Sequence, residues 1–509
     1  MLADFFSRSA QAAAQVLDGF DLERFRAHLQ ATPVGISTGA LDGEADALAD
    51  MAVRLLARLY PKLTIRAAVQ GDRERLIKLA CTINPNLEIV ADAALGVVIA
   101  HGQPFAESIF AGSDGWYAFV GTEAPLATGA SENPVGAGAA ACLAAARLFR
   151  RIFLPEGADR LDRALRLDTY TGEAVVGAAA AESDGRSLPL ARTLNGDAVL
   201  IGAGAIGNGA LWALARTPID GIVHVVDHET IELSNLQRYV LAGNDDEGEM
   251  KVDVVTRQSA RLHLRGHHSY LADFVSQHGY RWTCMLLALD SARDRVAAQA
   301  SLPGWIANAW TQPGDLGVST HSAFGSDGAC VSCLYMPRAR TKNEDELVAE
   351  TLAVPHLLMQ VRTLLHTGGP VDRPLLEAIA QGIGRPVDAL LGFEGRPVRD
   401  LYVEGFCGGA VIPLGRAGRP AADARDVHVP LAHQSALAGI LLTGALLRHG
   451  SAGPPDTTKI TRLNVLDAVG EYLTQPARAV RDGRCICDDD DFRAVYRGKY
   501  APSADGAGD

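Results

Sequence analysis

The chain is short of positive charge: 47 Lys and Arg stand against 60 Asp and Glu in 509 residues, a formal net charge of −13. Nucleic acids and anionic membranes are approached through a basic face, so neither is expected among its partners. Uninterrupted apolar runs are missing too. The longest mainly apolar segment, Val429 to Leu447, carries His433, Gln434, Ser435 and Thr443 and reads as a buried helix, not a membrane span. The first residues include early acidic side chains and no apolar h-region, which argues against a secretory signal and for the cytoplasm. Eight cysteines in so long a chain do not make a disulfide scaffold, and their spacing points to metal binding or catalysis for some of them. What is plentiful is apolar, at 48% of residues, together with 52 glycines; the balance fits helices packed on sheets, and the length predicts two or three domains.

The stretch from Asp197 to Lys251 carries the clearest chemistry. An apolar run, Ala198 to Ile201, leads into Gly202, Gly204 and Gly207 and then into an apolar helical segment. A side chain at those glycines would hold the backbone away from a phosphate, while the N–H groups opening the helix supply donors and the positive end of its dipole. A second apolar strand, Ile222 to Val226, ends in Asp227, placed where an acidic residue meets a ribose in a Rossmann unit. That much fits a dehydrogenase equally well. The continuation does not, because Ser234-Asn235-Leu236-Gln237-Arg238 and then Lys251 add two cations and an amide. Such a set suits a triphosphate whose α-phosphorus is attacked, since negative charge accumulates there in the transition state.

In these motifs the chain resembles the E1-like adenylyltransferases, the family of ubiquitin-activating enzymes and their bacterial relatives of the ThiF and MoeB type. Their signature is a Gly-rich loop, an Asp closing the second strand, an SNLxRQ segment, a Lys about thirteen residues on and a later Asp at a strand end. The resemblance implies that Asp227 holds the ribose, that Asn235, Arg238 and Lys251 hold the phosphates of ATP, and that Asp290, in LLALDSARDR, holds Mg²⁺. Tyr239 departs from the family's usual Gln and Ser291 from its usual Asn. Taken without the motif, Asp290 reads as a helix N-cap.

The expected fold is α/β: a Rossmann-like adenylation domain over 191–340 and 424–498, a helical insertion at 341–423, and an N-terminal α/β half with its linker over 1–190. Residues 499–509 are expected to be a disordered tail. In the first third, helices are expected at Ala3 to Val16, Gly43 to Leu59 and Ala137 to Phe153, and strands at Leu63 to Ala68, Leu87 to Val90 and Gly96 to His101. It has no glycine-rich phosphate turn, and Asn133 to Phe153 looks like a second version of Val429 to His449. It therefore reads as a pseudo-adenylation half that does not bind ATP, the alternative being an unrelated α/β interaction domain. A helix from Lys251 to about Leu264 and a strand from Met285 to Leu289 are expected in the adenylation domain.

Cys330-Val-Ser-Cys333 and the distant Cys485-Ile-Cys487 can place four thiolates around Zn²⁺; the family carries a CxxC in each place, so the second pair is one residue short. A closed four-thiolate site is structural rather than catalytic. Cys407 sits beside Gly408 and Gly409 at the end of the insertion and is the candidate nucleophile, whereas Cys81, Cys142 and Cys284 lie in apolar runs and read as core residues. The resemblance implies an E1 that adenylates the C-terminal tail of a ubiquitin-like protein, forms a thioester on Cys407 and hands it to an E2-like enzyme, as in bacterial ubiquitin-like conjugation systems of antiphage operons. One chain would then act as a pseudo-dimer, or pair as a homodimer. The alternatives are a sulfur-carrier adenylyltransferase and, from another class, a non-catalytic adaptor for ubiquitin-like proteins.

Overall fold

The computed structural model describes residues 2–94, 96–101, 107–155, 163–177, 180, 190–194, 196–258, 262–313, 315–336, 344–402, 429–450, 458–467 and 474–500. Two compact units emerge, one of Met1–Met336 with His428–Asp509 and one of Pro337–Val427. The larger unit holds two eight-stranded sheets built to one plan. In the first, β1 (Val34–Thr38), β2 (Lys62–Ala67), β3 (Glu88–Ile89), β4 (Val98–His101) and β5 (Ile109–Asp114) run parallel in the order β3-β2-β1-β4-β5. The sheet continues antiparallel through β6 (Tyr117–Gly121), β7 (Leu165–Asp168) and β8 (Ala174–Val176). The second sheet repeats this order and these directions. Its parallel part is β11-β10-β9-β12-β13, from β9 (Ala198–Ile201), β10 (Ile222–Asp227), β11 (His263–His268), β12 (Cys284–Leu287) and β13 (Trp305–Gln312). Its antiparallel part is β14 (Asp315–Ser322), β15 (Lys459–Leu463) and β16 (Gln475–Pro476).

The helices explain why the two sheets form one unit. After α1 (Phe6–Ala14) and α2 (Leu22–Ala31), α3 (Gly43–Leu59) follows β1, α4 (Gln70–Ile83) follows β2, and α5 (Pro134–Phe153) follows β6. Pro134 opens α5, and the Asn133 side chain accepts the Val135 N–H at 3.1 Å, a local start signal. In the second half α6 (Ala205–Arg216) follows β9 as α3 follows β1. Helices buried on nearly every face belong in a central layer. Much of α3, α5 and the later helix equivalent to α5 is of this kind, and α5 meets that later helix between the sheets. The later helix also lies against α6 so closely that a Cβ at Gly439 would stand 2.1 Å from the Ile206 carbonyl oxygen. The two Ala-rich segments that look alike in sequence are thus equivalent helices in duplicated halves.

The order continues with α7 (Lys251–Thr256), α8 (Leu271–His278), α9 (Ala292–Ala300) and α10 (Val331–Tyr335). The smaller unit contributes α11 (Glu344–Thr351), α12 (Leu358–Thr367) and α13 (Arg373–Gly382), which close over their own core around Leu352, Val361, Leu376 and Ile379. Back in the larger unit come α14 (Ala432–His449), the equivalent of α5, and α15 (Asp490–Tyr500).

Three local expectations are corrected. The helix expected from Lys251 to about Leu264 stops at Thr256, and its expected last residues, His263 and Leu264, open the outer parallel strand β11. Edge position leaves β11 largely exposed, so it lacks the apolar run that marks a buried strand. The strand before Asp290 ends at Leu287, short of Leu289. Lys499 and Tyr500, placed in the tail, end α15 instead: the Lys499 ammonium donates to Ser301 O at 2.7 Å and the Tyr500 hydroxyl to Trp282 O at 2.8 Å. Among the described residues no helix is long and apolar enough to cross a membrane.

Candidate nucleotide site and four-cysteine cluster

Strand order reverses between β9 and β12, and open parallel sheets bind ligands beyond the carboxyl ends of strands at such a point. Gly202 leaves β9 with φ +97°, and a Cβ there would lie 2.6 Å from the Ala288 carbonyl oxygen just past β12, so only glycine fits the turn. Gly204 caps α6 without a side-chain hydrogen bond, and Gly207 lies in its first turn. The opening N–H groups of a helix have no partner within it and favour an anion. Asp227, last in β10, accepts the Ala203 N–H on Oδ2 at 2.8 Å and the Glu229 N–H on Oδ1 at 2.9 Å. The carboxylate thereby braces the glycine turn while each oxygen keeps lone-pair capacity for a hydroxyl.

The cations come from the irregular segment after β10 and from α7. Asn235 is buried and its Oδ1 accepts the Glu232 N–H at 3.1 Å, fixing the 3-10 turn that precedes Arg238. Arg238 donates to Ser234 O at 3.3 Å. Burial depresses its pKa; Tyr239 opposes that shift, Arg8 adds to it and Asp290 opposes it again, so Arg8 and Asp290 both lie within electrostatic reach. Lys251 opens α7 with its ammonium paired to Glu229. Burial works to lower the Lys251 pKa, but the phenol of Tyr239 and the bond to Glu229 outweigh it, and the ammonium is held above its ordinary value. Both cations lie against the Tyr239 ring, whose centroid is 5.5 Å from the Arg238 guanidinium carbon and 5.3 Å from Lys251 Nζ. Its hydroxyl would be 3.5 Å from a Cβ on Gly204, so the phenol reaches the glycine turn.

Asp290 is exposed beyond the end of β12. The N-cap of α9 is Ser291, whose Oγ accepts the Asp294 N–H at 3.1 Å, so the capping alternative does not describe Asp290. Buried Arg295 donates to the carbonyls of Leu289 and, at 2.6 Å, Ala309, which fixes the backbone leading to Asp290. The structure thus gathers Gly202, Gly204, Gly207, Asp227, Asn235, Arg238, Lys251 and Asp290 at one edge of the second sheet. Sequence reasoning missed Glu229, Arg295 and Arg8. Arg8, on α1 of the N-terminal half, has no motif around it; Phe5 beside it packs with Leu236 and Tyr239.

Cys330, Cys333, Cys485 and Cys487 meet in space, their sulfurs all within 4.8 Å of one another. Five of the six Sγ pairs are 3.4 to 3.8 Å apart, against roughly 3.8 Å for four thiolates about 2.3 Å from a tetrahedral ion. Backbone bonds stitch the two loops together: Ala329 N donates to Ala477 O at 3.0 Å and Ala479 N to Asp327 O at 2.9 Å. The shorter spacing of the second pair is accommodated because Cys485 caps a 3-10 turn containing Cys487, whose carbonyl accepts from Arg481 and Arg493. The donor set and spacing fit Zn²⁺. Of the other cysteines, Cys142 and Cys284 are buried, which pushes both thiols up, Cys284 to about 12, while Cys81 on α4 is half-buried. Cys407 lies outside the described residues.

Two family models match the chain: ThiF family over residues 180–270 and Prokaryotic E2 family C over residues 37–154. The uncharacterized protein y4jF of Sinorhizobium fredii is 41% identical over 521 residues, 99% of this chain and 98% of its own length. The SAMP-activating enzyme E1 of Haloferax volcanii is 34% identical over 103 residues, 20% of this chain and 34% of that protein. Among solved structures, the E. coli tRNA N6-threonylcarbamoyladenosine dehydratase TcdA is 22% identical with a TM-score of 0.19, over 21% of this chain and 46% of that one. The chain thus spans less than half of that structure.

Proposed function

The chain belongs to the E1-like ThiF family, and on that premise we propose that it adenylates the C-terminal carboxylate of a ubiquitin-like protein with MgATP. A carboxylate oxygen attacks the α-phosphorus, the bond to the β-phosphate oxygen breaks, and the products are an acyl adenylate and pyrophosphate. The observation that carries this reading is the meeting of a braced glycine turn, buried Lys251, half-buried Arg238 and a carboxylate at the carboxyl ends of the strands. In it Asp227 binds the ribose, the α6 N-terminus, Asn235, Arg238 and Lys251 bind the phosphates, and Arg8 adds a third cation from the N-terminal half. Asp290 would hold Mg²⁺, which when bound neutralises phosphate charge. Zn²⁺ in the four-cysteine cluster would tie the last segment of the chain to the second sheet. In the next step the Cys407 thiolate attacks the adenylate carbonyl, AMP leaves, and the thioester passes to an E2-like protein. A cytoplasmic setting suits a chain whose described cysteines form no disulfide.

The N-terminal half supports a non-catalytic role through its duplicated sheet without a phosphate turn. Its match to a prokaryotic E2 family favours a second reading, in which this half itself accepts the thioester; Cys142 is too deeply buried for that, which leaves Cys81 on α4. The test of adenylation is pyrophosphate exchange dependent on the C-terminal tail of a candidate ubiquitin-like protein. Asp290→Ala is expected to slow exchange by about 100-fold or more. Unchanged exchange would sink the assignment, and exchange without any thiol-sensitive adduct would favour a sulfur-carrier adenylyltransferase.

A further inference from the structure

Asp50, Arg54 and Arg58 recur every fourth residue on α3 and so share one stripe of the helix, and all three are buried. The stripe faces the other half of the molecule. Asp50 Oδ1 accepts from Trp212 Nε1 at 2.7 Å and lies 2.9 Å from an Arg216 nitrogen, both on α6, the helix that begins at the glycine turn. Arg54 bonds Asp50 through Nε at 2.7 Å and donates a second time to the carbonyl of Val240 at 2.8 Å. Arg58 donates to the carbonyls of Tyr239 and, at 2.6 Å, Ala242. The Leu241 N–H goes to Asn208 Oδ1, again on α6, at 3.1 Å.

Residues 239–242 are fully buried yet belong to neither helix nor strand, so no ladder satisfies their backbone. Carbonyls in such a segment need side-chain donors. Here three of them receive donors from the N-terminal half, across more than 180 positions of sequence. Two buried guanidinium groups, Arg54 and Arg58, with half-buried Arg216 beside them, outnumber the one buried carboxylate, Asp50, an arrangement that is costly unless further acceptors are fixed in place. Carbonyl dipoles are those acceptors. Apolar side chains would fill the same space without this cost, so the stripe is suited to holding a backbone in one position more than to adding stability.

The segment held this way begins with Tyr239, whose ring is in contact with both Arg238 and Lys251 and whose hydroxyl reaches Gly204. We propose that Arg54 and Arg58 are positioning residues for the nucleotide site: by gripping the carbonyls of Tyr239, Val240 and Ala242, the N-terminal half fixes the cation pair and so sets the affinity of the C-terminal half for a triphosphate. This rests on the reading that Arg238 and Lys251 meet phosphates. Loss of the grip leaves the Ala242 carbonyl buried without its Arg58 donor and the Tyr239 carbonyl with the Ala242 N–H alone, the segment shifts to re-solvate them, and Arg238 moves with it. Asp227 and the glycine turn are held by their own bonds and do not move.

The signature is a split between phosphate and nucleoside. MgATP and adenosine are titrated calorimetrically into the full chain for wild type, Arg58→Met, Arg58→Lys and Arg238→Ala, after far-UV dichroism has checked folding. Arg58→Met is expected to weaken MgATP about tenfold or more, as one or two lost buried bonds would, and to change adenosine less than about twofold. Arg58→Lys keeps the charge and can reach one carbonyl at a time; it stays folded even where the Met variant does not, and an intermediate loss of about threefold, again for MgATP alone, is expected. Wild-type MgATP affinity in a folded Arg58→Lys and Arg58→Met pair overturns the proposal. Equal loss of MgATP and adenosine overturns it as well, because a purely structural role acts on both. If Arg238→Ala itself leaves MgATP affinity unchanged, what falls is the reading of the site on which the proposal rests.

Discussion

His433 gives the structure a measurable pH dependence. It lies near the start of α14, in the layer between the two halves, with its ring 6.1 Å from that of Phe149. Among the described residues its Nε2 has no hydrogen-bond partner. Burial, with Arg150 adding repulsion, lowers its pKa from 6.5 to about 3. The unfolded chain therefore binds a proton that the folded chain refuses between these values, and the contribution is fully present above pH 6.5 and is lost as the pH falls toward 3. Linkage over this window gives a loss of about 2 kcal/mol at pH 5 relative to pH 7.5. His433→Leu removes the titration while leaving an apolar group of similar reach. Urea unfolding of both proteins, followed by tryptophan fluorescence at pH 7.5 and 5.0, isolates the effect, since the other histidines titrate in both. The gap between wild type and variant should shift by about 2 kcal/mol in favour of the variant at the lower pH. Parallel losses in the two proteins would refute the idea that this imidazole is kept neutral by its surroundings.

Zinc and the thioester are tested separately. Cys485→Ser should lower bound zinc, measured by elemental analysis, and the melting temperature together, because metal binding and folding are linked; wild type carefully purified without zinc would end the reading of this cluster. Cys407→Ala should keep tail-dependent pyrophosphate exchange but lose the thiol-sensitive adduct with the ubiquitin-like protein on non-reducing gels, with Cys81→Ala retaining both. An adduct lost in Cys81→Ala and kept in Cys407→Ala would move the acceptor to the N-terminal half.

Local signals made the second sheet's nucleotide edge legible, since each of its features is a short motif: a glycine turn after an apolar strand, Asp227 at a strand end, and Arg238 and Lys251 at fixed spacing. The cysteine cluster was legible because a thiol pair is conspicuous at any separation. Helix α14 was legible from its apolar length and interspersed polar residues, and the likeness of α5 to it pointed to the duplicated plan. Elements whose stability comes from distant neighbours were not. Edge strand β11 is mostly polar, the β13–β14 hairpin carries no signal as strong as the flanking motifs, and α15 is held by bonds from Tyr496, Lys499 and Tyr500 to residues near 301–304 and 282. The arginine stripe of α3 escaped for the same reason: in sequence it is three charges on a helix, and only the fold reveals that backbone carbonyls from the other half receive them. Tyr239 was visible as a departure from the family pattern, but not as the ring that both cations contact.

The two halves share strand order and direction, so what separates them must be chemistry at equivalent places. In the second half the helix after the first strand begins at Gly204 with an open, uncapped N-terminus. In the first half the equivalent helix, α3, begins Gly43-Glu44, and Glu44 is buried. Its carboxylate accepts from the Ser113 hydroxyl at 2.5 Å and from the backbone N–H groups of Gly115 and Ser131 at 3.0 Å each. Burial raises the Glu44 pKa, and those three donors work against the rise. A carboxylate of the chain itself thus stands in the first turn of α3, engaged by Ser113 of β5 and by the Gly115 and Ser131 N–H groups beyond it. A triphosphate arriving there would meet a side chain and a like charge. Under the proposed function the first half acts on the second by way of Arg8, Arg54 and Arg58, and the difference between the halves lies in the chemistry at the start of α3 and α6 and not in topology.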